Sequence, residues 1–201
     1  MFEVDAKNTE NFTSLVNNYY SSIEMPESVD AVFSEIIFKG LNEKGTHILS
    51  FSSGSSKLLA EFINSMSGPD WDLYALKMHK NIKSSRSFTG NNTQYFSNGS
   101  GSQPIGQGWI YKVKDFDNFS KAFKKLMKTY KPNGYIGMGQ LVHGSDNGEN
   151  VWIYTTYADL SEAFKFSPKN SNEKIAFSTF YQEISNEIFS ATYTRKLITN
   201  F

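Results

Sequence analysis

Three histidines, three tryptophans and no cysteine set the limits of the chemistry this sequence can perform. His47 opens the alternating run HILSFSS, where a neutral imidazole can serve as a general base or orient a ligand oxygen, its reference pKa of about 6.5 lying close to working pH. A strand-end histidine touching water is the plainer reading. Trp71 and His79, eight residues apart in WDLYALKMH, fall on roughly one side of a helix. They form a catalytic pair if that side meets a cavity; otherwise Trp71 is core and His79 a helix-end cation favoured by the dipole. His143 closes another strand beside Asn147-Gly148, as a ligand contact or as the mark of a hairpin mouth. Phe51, Trp152 and Tyr154 lie on strands whose alternation sends some side chains inward, to stack on a ligand or to fill the core.

Other chemistries are excluded more firmly. Without cysteine there is no disulfide, thiolate nucleophile, or thiolate-bound zinc or iron–sulfur cluster. Histidines at 47, 79 and 143 make no i,i+3 or i,i+4 ligand pair, so no metal is expected. No G-x-S-x-G occurs, and FSSGSSK lacks the spacing of a phosphate loop. The formal net charge is zero, which leaves no global field to attract nucleic acid or an anionic membrane. Lys121, Lys124, Lys125, Lys128 and Lys131 cluster on one helix, yet the RNP consensus for RNA binding is missing, so the basic face reads as solvated. No apolar run reaches the length of about 18 residues needed to span a bilayer, and MFEVDAKNTENF has no basic leader followed by an apolar stretch. A cytoplasmic setting is the default, and a processed secreted chain would read the same.

The elements that must position these residues follow from periodicity. WIYKV reads as a strand, and DFDNFSKAFKKLMKTY as a helix with Phe119, Phe123, Leu126 and Met127 at helical spacing, capped by Asp115 or Asp117 and stopped by Lys131-Pro132-Asn133-Gly134. YIGMGQLVHG and VWIYTTYA pair through a hairpin at Asn147-Gly148. A helix broken around Pro168 and a last strand, SATYTRKLI, complete the order β-α-β-β-α-β. The first half repeats it: Phe12 stands with Phe119, His47 with Val151, Phe62 with Phe164, and Arg86 with Arg195, its second helix also broken, at Ser67-Gly68-Pro69. Two diverged copies of one unit are therefore expected, residues 1–89 and 109–201, joined by the linker 90–108. That linker carries no charge across its nineteen residues and reads as an unstructured crossing, with Tyr95, Phe96 and Ile105 placed to pin it to a surface. The first copy has eight basic and eleven acidic residues and the second twelve and nine, a −3 against +3 asymmetry that fits two mutually attracting lobes, or opposed partners in an oligomer.

A β-α-β-β-α-β unit is ferredoxin-like, an α+β arrangement that leaves one sheet face needing cover. In WIYKVKDFDNFSKAFKKLM and GTHILSFSS, and in the duplicated element order, the whole chain resembles the dimeric α+β barrel superfamily, whose members include antibiotic-biosynthesis monooxygenase-like and haem-degrading proteins. The resemblance implies two ferredoxin-like repeats packed sheet to sheet as an α+β barrel within one chain. It also implies a pocket for a small, mainly apolar molecule and a cofactor-independent monooxygenase as the specific enzymatic possibility, with haem as a remote alternative ligand. Haem-degrading members draw a Trp and a His from the region of Trp71 and His79 and complete the set with a strand-one Asn, where this chain offers Glu3, Asp5 and Asn8. The expected state is a monomer or homodimer with a small-molecule ligand, no nucleic acid and no membrane. The competing reading is a non-catalytic scaffolding or protein-association module whose barrel is filled by aromatic side chains.

Overall fold

A computed structural model describes residues 1–40, 43–97 and 103–201, which divide into two compact units. The first comprises Met1–Ile37, Leu41–Ser87 and Arg195–Phe201. Its elements are β1 (Phe2–Ala6), α1 (Thr9–Tyr20), β2 (Val29–Lys39), β3 (His47–Ser53), α2 (Ser56–Ser65), α3 (Pro69–Asn81) and β4 (Ile82–Ser87). α1 starts where the Asn8 side chain accepts the Asn11 amide at 2.9 Å, and its i,i+4 stripe Phe12, Val16, Tyr20 is buried. α3 begins at Pro69 after Gly68, whose φ of +93° suits glycine. The strands run β4-β1-β3-β2, antiparallel where they pair, and β2 is followed by the end of the last strand, β9 (Ile188–Asn200). Ala31 and Phe33 of β2 and Leu49 and Phe51 of β3 join Phe12, Val16, Phe62 and Tyr74 in one core.

The second unit comprises Phe38–Gly40 and Phe88–Thr194. It contains β5 (Thr89–Ser97), β6 (Ile105–Lys112), α4 (Phe116–Thr129), β7 (Tyr135–His143), β8 (Val151–Tyr157), α5 (Leu160–Phe164), α6 (Ser171–Glu183) and the first part of β9. Asp115 caps α4 by accepting the Asn118 amide at 2.9 Å, and Asp159 and Asn170 cap α5 and α6 in the same way. Phe119, Phe123, Leu126 and Met127 are buried along α4, packed with Met138, Val151, Phe177 and Phe180. The hairpin from β7 to β8 turns at Gly148, φ +83°, and is clamped by Glu149, which accepts the Asn147 amide at 2.8 Å and the Ser190 hydroxyl at 2.9 Å. The strand order is β9-β6-β8-β7-β5.

Each unit shows the expected order of strands and helices, with the second helix broken in both. The uncharged central stretch departs from its reading. Thr89–Ser97 is a strand, not an unstructured crossing, and pairs antiparallel with β7 despite register shifts at Thr89/Gly90 and Asn92/Gln94. Two side chains explain why: Phe96 sits 5.9 Å edge-on from Phe123, and the Gln94 amide donates to the Ser120 carbonyl of α4 at 3.2 Å. Residues 98–102 of the stretch lie outside the described residues. β6 already begins at Ile105, four residues before Trp109. No helix among the described residues is long and apolar enough to cross a membrane.

Phe123 is 1% exposed and meets both Phe96 and Phe180. Phe123→Ala is expected to lower the unfolding free energy by about 3–5 kcal/mol in urea titrations, through lost burial and the cavity left behind.

Candidate functional site

His47 is a core histidine, 1% exposed. Its Nδ1 lies 2.9 Å from Thr46 Oγ1 and its Nε2 3.2 Å from Thr13 Oγ1. Thr46 gives its hydroxyl hydrogen to the Val4 carbonyl at 3.0 Å, so Nδ1 carries the imidazole proton and Nε2 accepts from Thr13. Burial pushes the His47 pKa down to about 4, and Phe33 stacks on the ring with centroids 5.5 Å apart. Every nitrogen of this side chain is satisfied within the fold.

Trp71 and His79 occupy different surroundings on α3. Trp71 packs with Tyr19 and Tyr74 at ring distances of 5.8 and 5.5 Å, whereas His79 is exposed in the last turn, about 12 Å further along the axis. His143 is exposed at the end of β7. Phe51 is buried against Tyr20 and Phe62. Trp152 and Tyr154 lie on the face of β8 opposite to Val151 and Ile153, Trp152 over Gly139 and Tyr154 6.4 Å from the Tyr135 ring. The structure thus distributes the candidate residues over several environments.

Two clusters not singled out by spacing carry more chemistry. In the first unit, Arg86 Nη2 donates to Glu3 Oε2 at 2.7 Å and to Glu43 Oε2 at 2.6 Å. Glu3 fits because position 45 is glycine: a Cβ there would lie 2.4 Å from Glu3 Oε1. Burial first, then the neighbouring Glu43 carboxyl, pushes Glu3 up to about 7 against the opposing pull of Arg86. Burial works against ionisation of Glu43 too, but hydrogen bonds from Glu3 and the Gly45 amide hold it below the ordinary range. Of the two carboxyls Glu3 is the one that holds its proton to higher pH.

The second cluster lies on the helix face of β6 and β8. Trp109 and Tyr111 of β6 and Val151 and Ile153 of β8 face the helices, so alternation places Gln107, Thr155 and Tyr157 on that side as well. Gln107 pairs directly with Thr155, which makes Tyr157 its diagonal neighbour. Among buried side-chain atoms, Gln107 Oε1 and Tyr157 Oη have no hydrogen-bond partner, although Tyr157 is only 5% exposed. Gln107 Nε2 reaches Thr194 Oγ1 at 3.4 Å. Burial, against the opposing pull of the neighbouring Thr155 hydroxyl, raises the Tyr157 pKa far above its ordinary value, so the phenol keeps its proton and can donate. Phe166, just after α5, covers the place, its ring 5.2 Å from Trp109, 5.6 Å from Tyr130 and 6.2 Å from Tyr157. Gln94 Oε1 is also unpartnered, but the amide of that residue already ties β5 to α4.

An open groove of about 340 Å³ runs between α4 and α6 over Ala122, Leu126, Ala176 and Phe180. Lys125 and Glu183, paired at 2.6 Å, belong to its lining. The sequence signal for the helix-face cluster was the β8 period itself, since Tyr157 falls in phase with Val151 and Ile153. Gln107 escapes detection when the strand is started at Trp109.

No protein-family model and no curated protein matches the sequence. Solved structures do match along almost the whole chain. A candidate monooxygenase from Lactobacillus acidophilus NCFM aligns with TM-score 0.61 at 16% identity, covering 99% of this chain and 92% of that one. An anthrone oxidase-like protein aligns with TM-score 0.63 at 9% identity, covering 100% and 90%. A candidate monooxygenase from Fusobacterium nucleatum subsp. nucleatum gives TM-score 0.63 at 9% identity, covering 99% and 91%. These neighbours belong to the dimeric α+β barrel superfamily, and the chain shares their α+β fold.

Two buried titrating groups of the first unit, Glu3 and His47, act on stability in opposite directions. Glu3 is raised from 4.5 to about 7, so its contribution is complete below the unfolded value and is lost as pH rises through 7. His47 is lowered from 6.5 to about 4, so its contribution is complete above 6.5 and is lost as pH falls towards 4. Relative to wild type, Glu3→Gln should gain stability as pH rises between these limits and His47→Gln should gain it as pH falls, as read by denaturant midpoints at stepped pH. In the second unit, Tyr157→Phe removes an unpaired buried hydroxyl and is expected to raise stability by about 1 kcal/mol, not lower it.

Proposed function

We propose that the chain binds a small, mainly apolar molecule on the helix face of the second unit and oxygenates it without a bound cofactor. The observation that carries this reading is the pair of buried, unpartnered polar atoms, Gln107 Oε1 and Tyr157 Oη, within a wall of Trp109, Tyr130 and Phe166. Buried polar atoms are nearly always paired, and those left over in a native fold commonly meet a ligand or water. The fold shared with two candidate monooxygenases and an anthrone oxidase-like protein supports the reaction class. The equivalent order of elements in both units likewise supports a tandem duplication.

A substrate with an activated methylene can supply all four electrons that reduce dioxygen, so no other reductant is needed. Dioxygen inserts one atom as the new carbonyl oxygen, the O–O bond breaks, and the other atom leaves as water with the two hydrogens of the methylene carbon. In this scheme the protein holds the polar end of the substrate through Gln107 and Tyr157 and keeps bulk water from the ring system with Trp109 and Phe166.

Anthrone, whose enol tautomer carries a ring hydroxyl, incubated with the full chain in air should be consumed with one dioxygen per molecule, faster than in a protein-free blank, and should stay unchanged under anaerobic conditions. A haem titration should leave the Soret band of free haem where it is. Consumption no faster than the blank, together with no detectable retention of anthrone by the protein, would sink the proposal.

A further inference from the structure

β3 and β8 are the corresponding strands of the two units, each seven residues long and each followed by a helix. Their helix-facing positions are His47, Leu49, Phe51 and Ser53 in one, and Val151, Ile153, Thr155 and Tyr157 in the other. At the third of these positions the first unit places the Phe51 ring, 5.3 Å from the Phe62 ring of α2. Phe62 is 4% exposed, so two phenyl rings close that part of the sheet face.

The second unit does the reverse at the same place. Thr155 stands in the position of Phe51 and gives its hydroxyl hydrogen to the Tyr135 carbonyl at 2.8 Å. Phe164, on the helix that follows, is 69% exposed and rests instead 5.9 Å from Phe38. Two rings that fill the first unit thus have no counterpart beside Gln107 and Tyr157. Phe166 provides the cover instead, from the segment between α5 and α6.

The two unpartnered atoms are complementary in a specific way. A glutamine carbonyl oxygen needs a hydrogen, and a protonated phenol needs a lone pair. One hydroxyl offers both, giving its hydrogen to Gln107 Oε1 and receiving that of Tyr157. We propose that Gln107 and Tyr157 select the ligand by a ring-borne hydroxyl, that Thr155 leaves the room for its ring, and that the chain therefore binds one such molecule, in its second unit only. The selection rests on the reading that this face binds a small apolar molecule. An ether, which has a lone pair but no hydrogen, leaves Gln107 unpaired and binds less well; sites built to hydrogen-bond a hydroxyl discriminate strongly against analogues that lack it.

Calorimetric titration of the full chain with 2-naphthol and with 2-methoxynaphthalene separates the two ideas. The expected result is one 2-naphthol per chain, bound at least about tenfold more tightly than the ether. Tyr157→Phe and Gln107→Leu should each reduce that preference to less than about threefold while both probes still bind. Thr155→Phe, which places at 155 the ring found at position 51, should abolish binding of both; Thr155 is 0% exposed, so the urea midpoint falls as the added ring overpacks the site, and the titration is run where far-UV circular dichroism shows the variant folded. Equal affinity of the wild type for the two probes would overturn the hydroxyl selection and leave the small-molecule reading standing. So would a preference that survives both polar substitutions. Two molecules per chain, or binding that persists in Thr155→Phe, would overturn the assignment to the second unit. Absence of binding by either probe would overturn the selection and, with an inactive anthrone assay, the function as well.

Discussion

A strand that packs helices on one side can turn only alternate residues towards them, so a seven-residue strand has four positions with which to close its face. β3 and β8 use those positions differently, and the difference organises each unit. β3 fills its third position with Phe51 against Phe62, and of the polar groups it admits, His47 is satisfied at both nitrogens by Thr13 and Thr46 and Ser53 accepts the Ser55 amide. β8 admits Thr155 and Tyr157 and leaves the phenol oxygen unmatched. A buried hydroxyl without a partner costs about 1–3 kcal/mol, and native folds that carry one commonly do so at a place where something else arrives.

The first unit is electrostatically self-contained. Its carboxyl pair has an arginine between the two groups, a glycine that makes room, and a backbone amide for Glu43. A carboxyl whose ionisation is resisted is less costly to bury than one held fully charged, and Glu3 lies in a β-strand at 4% exposure beside Arg86. His47 is buried in its neutral form for the same reason. The unit thus buries His47 uncharged and Glu3 beside a paired arginine.

Element order was legible in the sequence because the periods of 3.6 and 2 are strong in stretches such as NFSKAFKKLM and VWIYTTY, and because caps such as Asp115 and the Gly148 turn have local causes. The fates of individual polar residues were not. His47 looks like a free base until Thr13, thirty-four positions away in the chain, supplies its second hydrogen bond. Glu3, Glu43 and Arg86 come from three separate segments, and nothing in their spacing announces that they meet. The central stretch misleads for a different reason: lack of charge and abundance of Gly, Ser and Asn describe a linker, but Gln94 and Phe96 have tertiary partners in Ser120 and Phe123 that no local rule reveals. Starting β6 at Trp109 in turn leaves Gln107 outside the strand that aims it at the helices.

β5 is the outermost strand beside β7. An uncharged strand rich in Asn, Gln and Thr at the margin of a sheet is the kind of template onto which a foreign chain can add, since its outer amides and carbonyls point away from the sheet. Here the ladder is interrupted twice within nine residues, and each irregularity twists the margin out of the flat geometry that an incoming strand requires. Protection of this margin thus comes from backbone shape near Gly90 and Thr93, where many edge strands carry a lysine instead.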